Sequence, residues 1–177
     1  MGGRIGVDSA PGRGTTMSMS LPLATMSAAA EAFGASFQGV PVPERADGGR
    51  WQVLYVEDNP VNATLVEAVF EDRPHVALRV VGTAAEAQRA VRDAAPDLLL
   101  LDMNLPDADG CTLLARLRAE PALAAVPAVA VSADAMTDQI ELARRAGFHA
   151  YWTKPLDVDR MVADVDRLLL ASPAARA

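Results

Sequence analysis

The stretch PDLLLLDMNLPDADG, residues 96–110, drives four consecutive leucines straight into the carboxylate of Asp102. A fully apolar run without alternation suits a strand covered on both faces. The acid at its end then either caps a loop or is the group the strand exists to present. Asp107 and Asp109 follow in a segment containing Pro and Gly, read best as turn formers, and are assigned no catalysis.

Outward from this stretch, DLLLL (97–101) is one of five short apolar runs, with QVLYV (52–56), VALRVV (76–81), PAVAV (127–131) and HAYW (149–152). Between and after them lie amphipathic stretches near 60–72, 83–94, 110–119, 134–146 and 157–170. Asn59-Pro60 places a capping residue before a first-turn proline. Thr83-x-x-Glu86 fits a capping box, and Gly147 sits where a helix should stop. Strands alternating with helices predict an α/β fold: a doubly wound, parallel five-stranded sheet covered on both faces.

Composition bounds the function. The chain has 177 residues, 51% of them apolar, with 23 acids against 16 bases and a net charge of −7. A core is affordable, and no basic stripe is available to neutralise nucleic-acid phosphates. Cys111 is the single cysteine, so a reducing cytoplasmic setting is expected and no intrachain disulfide can form. The amino terminus lacks the apolar segment of a signal peptide. The most apolar window, PALAAVPAVAV, is interrupted by Pro127, so a soluble chain with no membrane span of its own is expected.

In an open α/β sheet, ligands bind beyond the carboxyl ends of the strands. Glu57 and Asp58 follow the first run, Asp102 the third, Ser132 the fourth, and Thr153 and Lys154 the fifth. Each alone reads as a helix start or solvated loop; their coincidence on one edge does not. Converging carboxylates repel one another, and a hard cation such as Mg²⁺ relieves that repulsion. With a lysine and a hydroxyl supplying donors for an incoming anion, the set describes phosphoryl transfer to an aspartate.

The string VLYVEDNPVN…PDLLLLDMNLPDADG…VPAVAVSADA…GFHAYWTKPLD resembles the receiver domain of two-component response regulators and hybrid histidine kinases, over roughly residues 52–170. The resemblance implies a (βα)₅ flavodoxin-like fold with strand order 2-1-3-4-5. It implies Asp102 as phosphoacceptor, and Asp58 and Asp102 as carboxylate ligands of Mg²⁺. Glu57 acts through water and the Asn104 backbone carbonyl completes the protein ligands. Lys154 pairs with a phosphoryl oxygen, Ser132 moves toward the phosphoryl group, and Tyr151 is the aromatic switch position. The partner implied is a histidine kinase or histidine phosphotransfer protein, and the chain is expected to be a monomer or a weak, phosphorylation-dependent dimer. Asn62 lies four residues after Asp58 on the same helical face, and EDNPVN resembles receivers fused to hybrid kinases more than stand-alone ones.

Residues 1–23 contain two alternating runs around a Gly/Pro turn, a hairpin pattern that resembles the last segment of a histidine-kinase ATPase domain. Residues 24–50 read as a flexible linker with a brief helical stretch near Ala28–Phe33, residues 51–171 as the receiver, and 172–177 as a disordered tail. This order suggests the carboxyl-terminal part of a hybrid kinase, with Met1 an internal methionine or misassigned start. His75 and His149 do not sit in helices as a kinase acceptor would, so no autonomous kinase activity is expected, only Mg²⁺-dependent self-phosphorylation and dephosphorylation. A phosphatase of the haloacid-dehalogenase type wants an aspartate two residues after the nucleophile, where this chain has Asn104. A pseudo-receiver acting by contact alone would not need the intact set of Glu57, Asp58, Asp102, Ser132 and Lys154.

Overall fold

A computed structural model describes residues 4–10, 12–20, 45 and 47–172. The helical stretch expected near Ala28–Phe33, nearly all of the linker and the end of the tail lie outside the described residues. Two compact units divide at Val40 and Pro41. The first contains an antiparallel hairpin of β1 (Arg4–Ala10) and β2 (Gly14–Ser20), in register from Arg4↔Ser20 to Ala10↔Gly14.

The second unit carries five parallel strands: β3 (Trp51–Val56), β4 (Val76–Val81), β5 (Leu98–Asp102), β6 (Ala128–Ser132) and β7 (Ala150–Thr153). Their spatial order is β4-β3-β5-β6-β7, which is 2-1-3-4-5 when the strands of this unit are counted alone. Helices α1 (Pro60–Glu71), α2 (Ala84–Asp93), α3 (Gly110–Leu117), α4 (Thr137–Ala146) and α5 (Val158–Ala171) follow the strands in turn.

Alternation along each strand splits the apolar residues between two layers. Leu99 and Leu101 pack with Leu54, Ala128 and the inward faces of α2, α3 and α4. Leu98 and Leu100 pack with Val53, Val129 and residues of α1 and α5, including Phe70, Val165 and Leu169. All four leucines are fully buried, each contributing about 1.5–3 kcal/mol by leaving water. This explains the missing alternation, since neither face of β5 meets solvent.

The helix starts follow local chemistry. Asn59 accepts from the Val61 N–H, with Pro60 in the first turn. Thr83 accepts from the Glu86 N–H, while the Glu86 carboxylate reaches back to the Gly82 N–H, one residue before the cap. Gly147 ends α4 at φ 97°, the left-handed conformation that favours glycine. Helix α4 begins at Thr137, three residues later than the expected 134, because two side chains form turns in the preceding loop. There the Ser132 hydroxyl accepts from the Asp134 N–H, and the Asp134 carboxylate accepts from the Met136 N–H. A buried Arg73–Asp166 ion pair ties the segment just after α1 to the middle of α5.

Arg45, read as linker, is anchored on this second unit. Its guanidinium pairs with Asp97 and lies 5.8 Å from the centre of the Trp51 ring. Asp97 also accepts from the Gln52 N–H at 2.8 Å, so one buried carboxylate ties the approach segment to the start of β3.

Candidate functional site

The parallel ladder delivers the polar residues to one edge. Val56 lies opposite Leu101, and Asp102 opposite Val131, so Glu57, Asp102 and Ser132 leave adjacent strands at the same height. The ladder continues past the strands: the Glu57 N–H donates to the Val81 carbonyl, Met103 to Val131, and Lys154 to Ser132. These bonds extend the ladder to Glu57, Ser132 and Lys154, whereas Asp58 is exposed ahead of α1.

One oxygen from each of Glu57, Asp58 and Asp102 lies within 4.8 Å of the others. Glu57 and Asp102 are 3% and 4% exposed, so both negative charges are held almost out of water. The Lys154 ammonium bridges them, 2.7 Å from Asp102 Oδ2 and 2.7 Å from Glu57 Oε2. The second oxygen of Asp102 accepts from the Asn104 N–H at 2.9 Å. Three carboxylates facing one ammonium leave an excess of negative charge, and an all-oxygen set with one solvent-facing member suits a hard divalent cation.

Burial pushes the Asp102 carboxyl above its ordinary value, against the pull of Lys154 and the Asn104 N–H. Burial acts on Glu57 in the same sense, but hydrogen bonds from Lys154, Asn62 and Tyr55 outweigh it and hold that group below its ordinary value. Burial alone would lower Lys154; its contacts with Asp102 and Glu57 hold it up, and it stays charged. Of the two buried carboxylates, Asp102 is thus the one whose charge the protein satisfies less.

Ser132 is buried beside this edge, and Tyr151, half-buried on β7, donates to the Asp134 carbonyl at 2.7 Å. The Asp134 N–H in turn donates to the Ser132 hydroxyl, so Ser132 and Tyr151 are joined through one loop residue. Asn104 is exposed and bridges to Asp109, and Asp109 caps α3 by accepting from the Thr112 N–H.

Three features were not evident in the sequence. Asn62, placed on the same face as Asp58, instead donates to Glu57 Oε1 at 2.8 Å. Tyr55, inside an apolar run, donates its hydroxyl to Glu57 Oε2 at 2.7 Å. Residues i and i+2 of a strand share a face, and that spacing is the signal that links Tyr55 to Glu57. Asp107 is more than a turn former: its two oxygens accept from the Ala84 and Ala85 N–H groups, tying the loop after β5 to the start of α2.

A family model for the response regulator receiver domain matches residues 53–166, across all five strands and the site edge. The chain belongs to the receiver domain family. An uncharacterized 14.6 kDa protein from the sodA1 3' region of Leptolyngbya boryana is 33% identical over 121 residues, covering 68% of this chain and 92% of that protein. The polar-differentiation response regulator DivK of Brucella ovis is 32% identical over 117 residues, covering 66% of this chain and 94% of its own length. Among solved structures, the receiver domain of the sensor histidine kinase PA1611 from Pseudomonas aeruginosa PAO1 carries a magnesium ion coordinated in its active-site cleft. It matches with a TM-score of 0.62 at 29% identity, covering 68% of this chain and 98% of that one. The receiver fold and its place in two-component signalling are thereby established, and no helix among the described residues is long and apolar enough to cross a membrane.

Proposed function

We propose that this receiver accepts a phosphoryl group on Asp102 from a phosphohistidine of a histidine kinase or histidine phosphotransfer protein, and then loses it by slow hydrolysis. The observation that carries the reading is the Lys154 ammonium within 2.7 Å of a buried Asp102 carboxylate, beside the open carboxylate of Asp58. An Asp102 oxygen attacks phosphorus in line, the phosphorus–nitrogen bond breaks, and the bonding pair leaves with the imidazole nitrogen. Asp58, Asp102 and the Asn104 backbone carbonyl would hold Mg²⁺, with Glu57 reaching it only through water. Bound there, the cation supplies charge neutralisation for the transferred oxygens. Lys154 holds one of those oxygens, and Ser132 moves toward another.

That movement of Ser132 would pull on Asp134 and release the Tyr151 hydroxyl from its carbonyl, a two-position change of surface readable by a partner. Residues 51–171 would form the signalling module, acting as a monomer or weak phosphorylation-dependent dimer in the cytoplasm, without kinase activity of its own. The hairpin preceding a receiver supports a second reading, that residues 1–23 come from a histidine-kinase ATPase domain and the linker 24–50 joins the two parts of a hybrid kinase. Sequencing upstream of Met1 tests it: an early in-frame stop with a good ribosome-binding site would defeat it.

Incubation with Mg²⁺ and acetyl phosphate, followed by intact mass, tests the main reading. One added phosphoryl group is expected in the wild type and none in Asp102→Asn. A wild type that stays unmodified with Mg²⁺ present would reject the reading.

A further inference from the structure

The Glu57 carboxylate has no room left for a metal. Tyr55 Oη and Lys154 Nζ each lie 2.7 Å from Oε2. Asn62 Nδ2 at 2.8 Å, Lys154 Nζ at 3.0 Å and the Asn59 N–H at 3.4 Å serve Oε1. An ionised carboxylate offers about four lone-pair sites, so these donors crowd out a directly coordinated cation and leave at most a weakly held water between. Asp102 is different, because each of its oxygens accepts a single bond from the protein. Asp58 has no hydrogen-bonded or ion-paired partner among the described residues. The three acids therefore divide into two with open lone pairs and one already spoken for.

We infer that Tyr55 and Asn62 are positioning residues: they orient Glu57 so that it anchors the Lys154 ammonium and leaves the cation to Asp58 and Asp102. This rests on the phosphoacceptor reading above and adds a division of labour within it. Lys154 has two carboxylates in the resting site. When a phosphoryl group arrives on Asp102, the ammonium must turn toward a phosphoryl oxygen, and only a second, fixed anion keeps it within reach. Glu57 is that anion, and its own orientation depends on a buried hydroxyl and on a side-chain amide from the first turn of α1. Tyr55 is fully buried in β3, with its ring in the core layer beneath α1 and α5, so the hydroxyl cannot wander from Glu57.

Tyr55→Phe removes only the hydroxyl, and Asn62→Ala, on a half-buried helical position, provides a variant whose folding does not depend on the core. Three readouts separate the possibilities, with Asp58→Asn as the metal-side comparison. Calorimetric titration with Mg²⁺ alone should give dissociation constants for both variants within about twofold of the wild type, while Asp58→Asn weakens binding by about tenfold or more. Phosphorylation by acetyl phosphate at saturating Mg²⁺ should slow by about tenfold in Tyr55→Phe and less in Asn62→Ala, the scale of one hydrogen bond to a charged group. The Lys154 ammonium should give a protected ¹⁵N resonance in the wild type that is lost or shifted in Tyr55→Phe, without metal or phosphodonor present. Weakened Mg²⁺ binding in Tyr55→Phe to the level of Asp58→Asn would overturn the inference by making Glu57 a ligand. Unchanged phosphorylation together with an unchanged ammonium resonance would also overturn it. A wild type that binds no Mg²⁺ and takes no phosphoryl group, yet shows the Tyr55-dependent resonance, would reject the phosphoacceptor reading and leave the anchor in place.

Discussion

Replacing Gly110 with alanine puts two opposing effects on one atom. Gly110 opens α3, where alanine gains about 0.5–1 kcal/mol over glycine by helix propensity. A Cβ at this position would stand 2.8 Å from the Asp102 carbonyl oxygen, 2.9 Å from Met103 Sδ and 3.0 Å from Met103 Cα. The sulfur can swing aside, but the two backbone atoms cannot, because the Met103 N–H is bonded to the Val131 carbonyl at 2.9 Å. Inserting a methyl into such a fixed site costs about 1–3 kcal/mol, so the clash wins and the net loss is about 1–2 kcal/mol. For a domain of this size that lowers the thermal midpoint by roughly 4–8 °C. The strain falls on the backbone of Asp102, the proposed phosphoacceptor, so phosphorylation by acetyl phosphate should slow by roughly threefold to tenfold at temperatures where the variant is fully folded. Urea unfolding followed by circular dichroism, with phosphorylation timed by intact mass, measures both. A Gly110→Ala protein at or above the wild-type midpoint would refute the reasoning, since propensity would then have outweighed the contact.

Asp166→Ala strands the buried Arg73 guanidinium and should cost about 3–5 kcal/mol in urea unfolding, whereas the charge-free pair Arg73→Met/Asp166→Leu should recover most of it. Asp102→Asn should raise the midpoint of the metal-free protein at neutral pH. The folded Asp102 pKa lies above its unfolded value, so the native state binds more protons in that window and stability falls as pH rises through it. The gain should therefore shrink below the ordinary carboxylate range, and a flat difference across pH would contradict the assignment. Asp107→Ala should speed amide hydrogen exchange at Ala84 and Ala85 several-fold while leaving α4 unchanged, and equal exchange at those amides would refute the tether.

The five strands and the core leucines were legible because burial on both faces leaves a continuous apolar signature, but β5, β6 and β7 each run one residue past the expected end, through Asp102, Ser132 and Thr153. The acids, Ser132 and Lys154 were legible because parallel strands deliver their ends to one edge whatever the details of packing. Tyr55 was hidden because an aromatic within an apolar run looks the same whether or not its hydroxyl has a partner. Asp107 bonds to Ala84 across 23 residues, and Arg73 to Asp166 across 93, so no local spacing records either contact. Helix α4 started late because Ser132 and Asp134 offered the backbone N–H groups an alternative to helical bonding, a competition that propensity does not resolve.

The four leucines of β5 are bracketed by Asp97 and Asp102, and the bracket matters before the fold exists. An unfolded or newly made chain exposes LLLL, a short, uncharged apolar segment without proline. Flanking charges act as gatekeepers that discourage such a segment from pairing with another copy. Asp102, the proposed phosphoacceptor, and Asp97, the anchor of the approach segment, are thus also placed to discourage association through the central strand. An Asp102→Asn protein, expected to be steadier once folded, gives up one of those two guards on the way there.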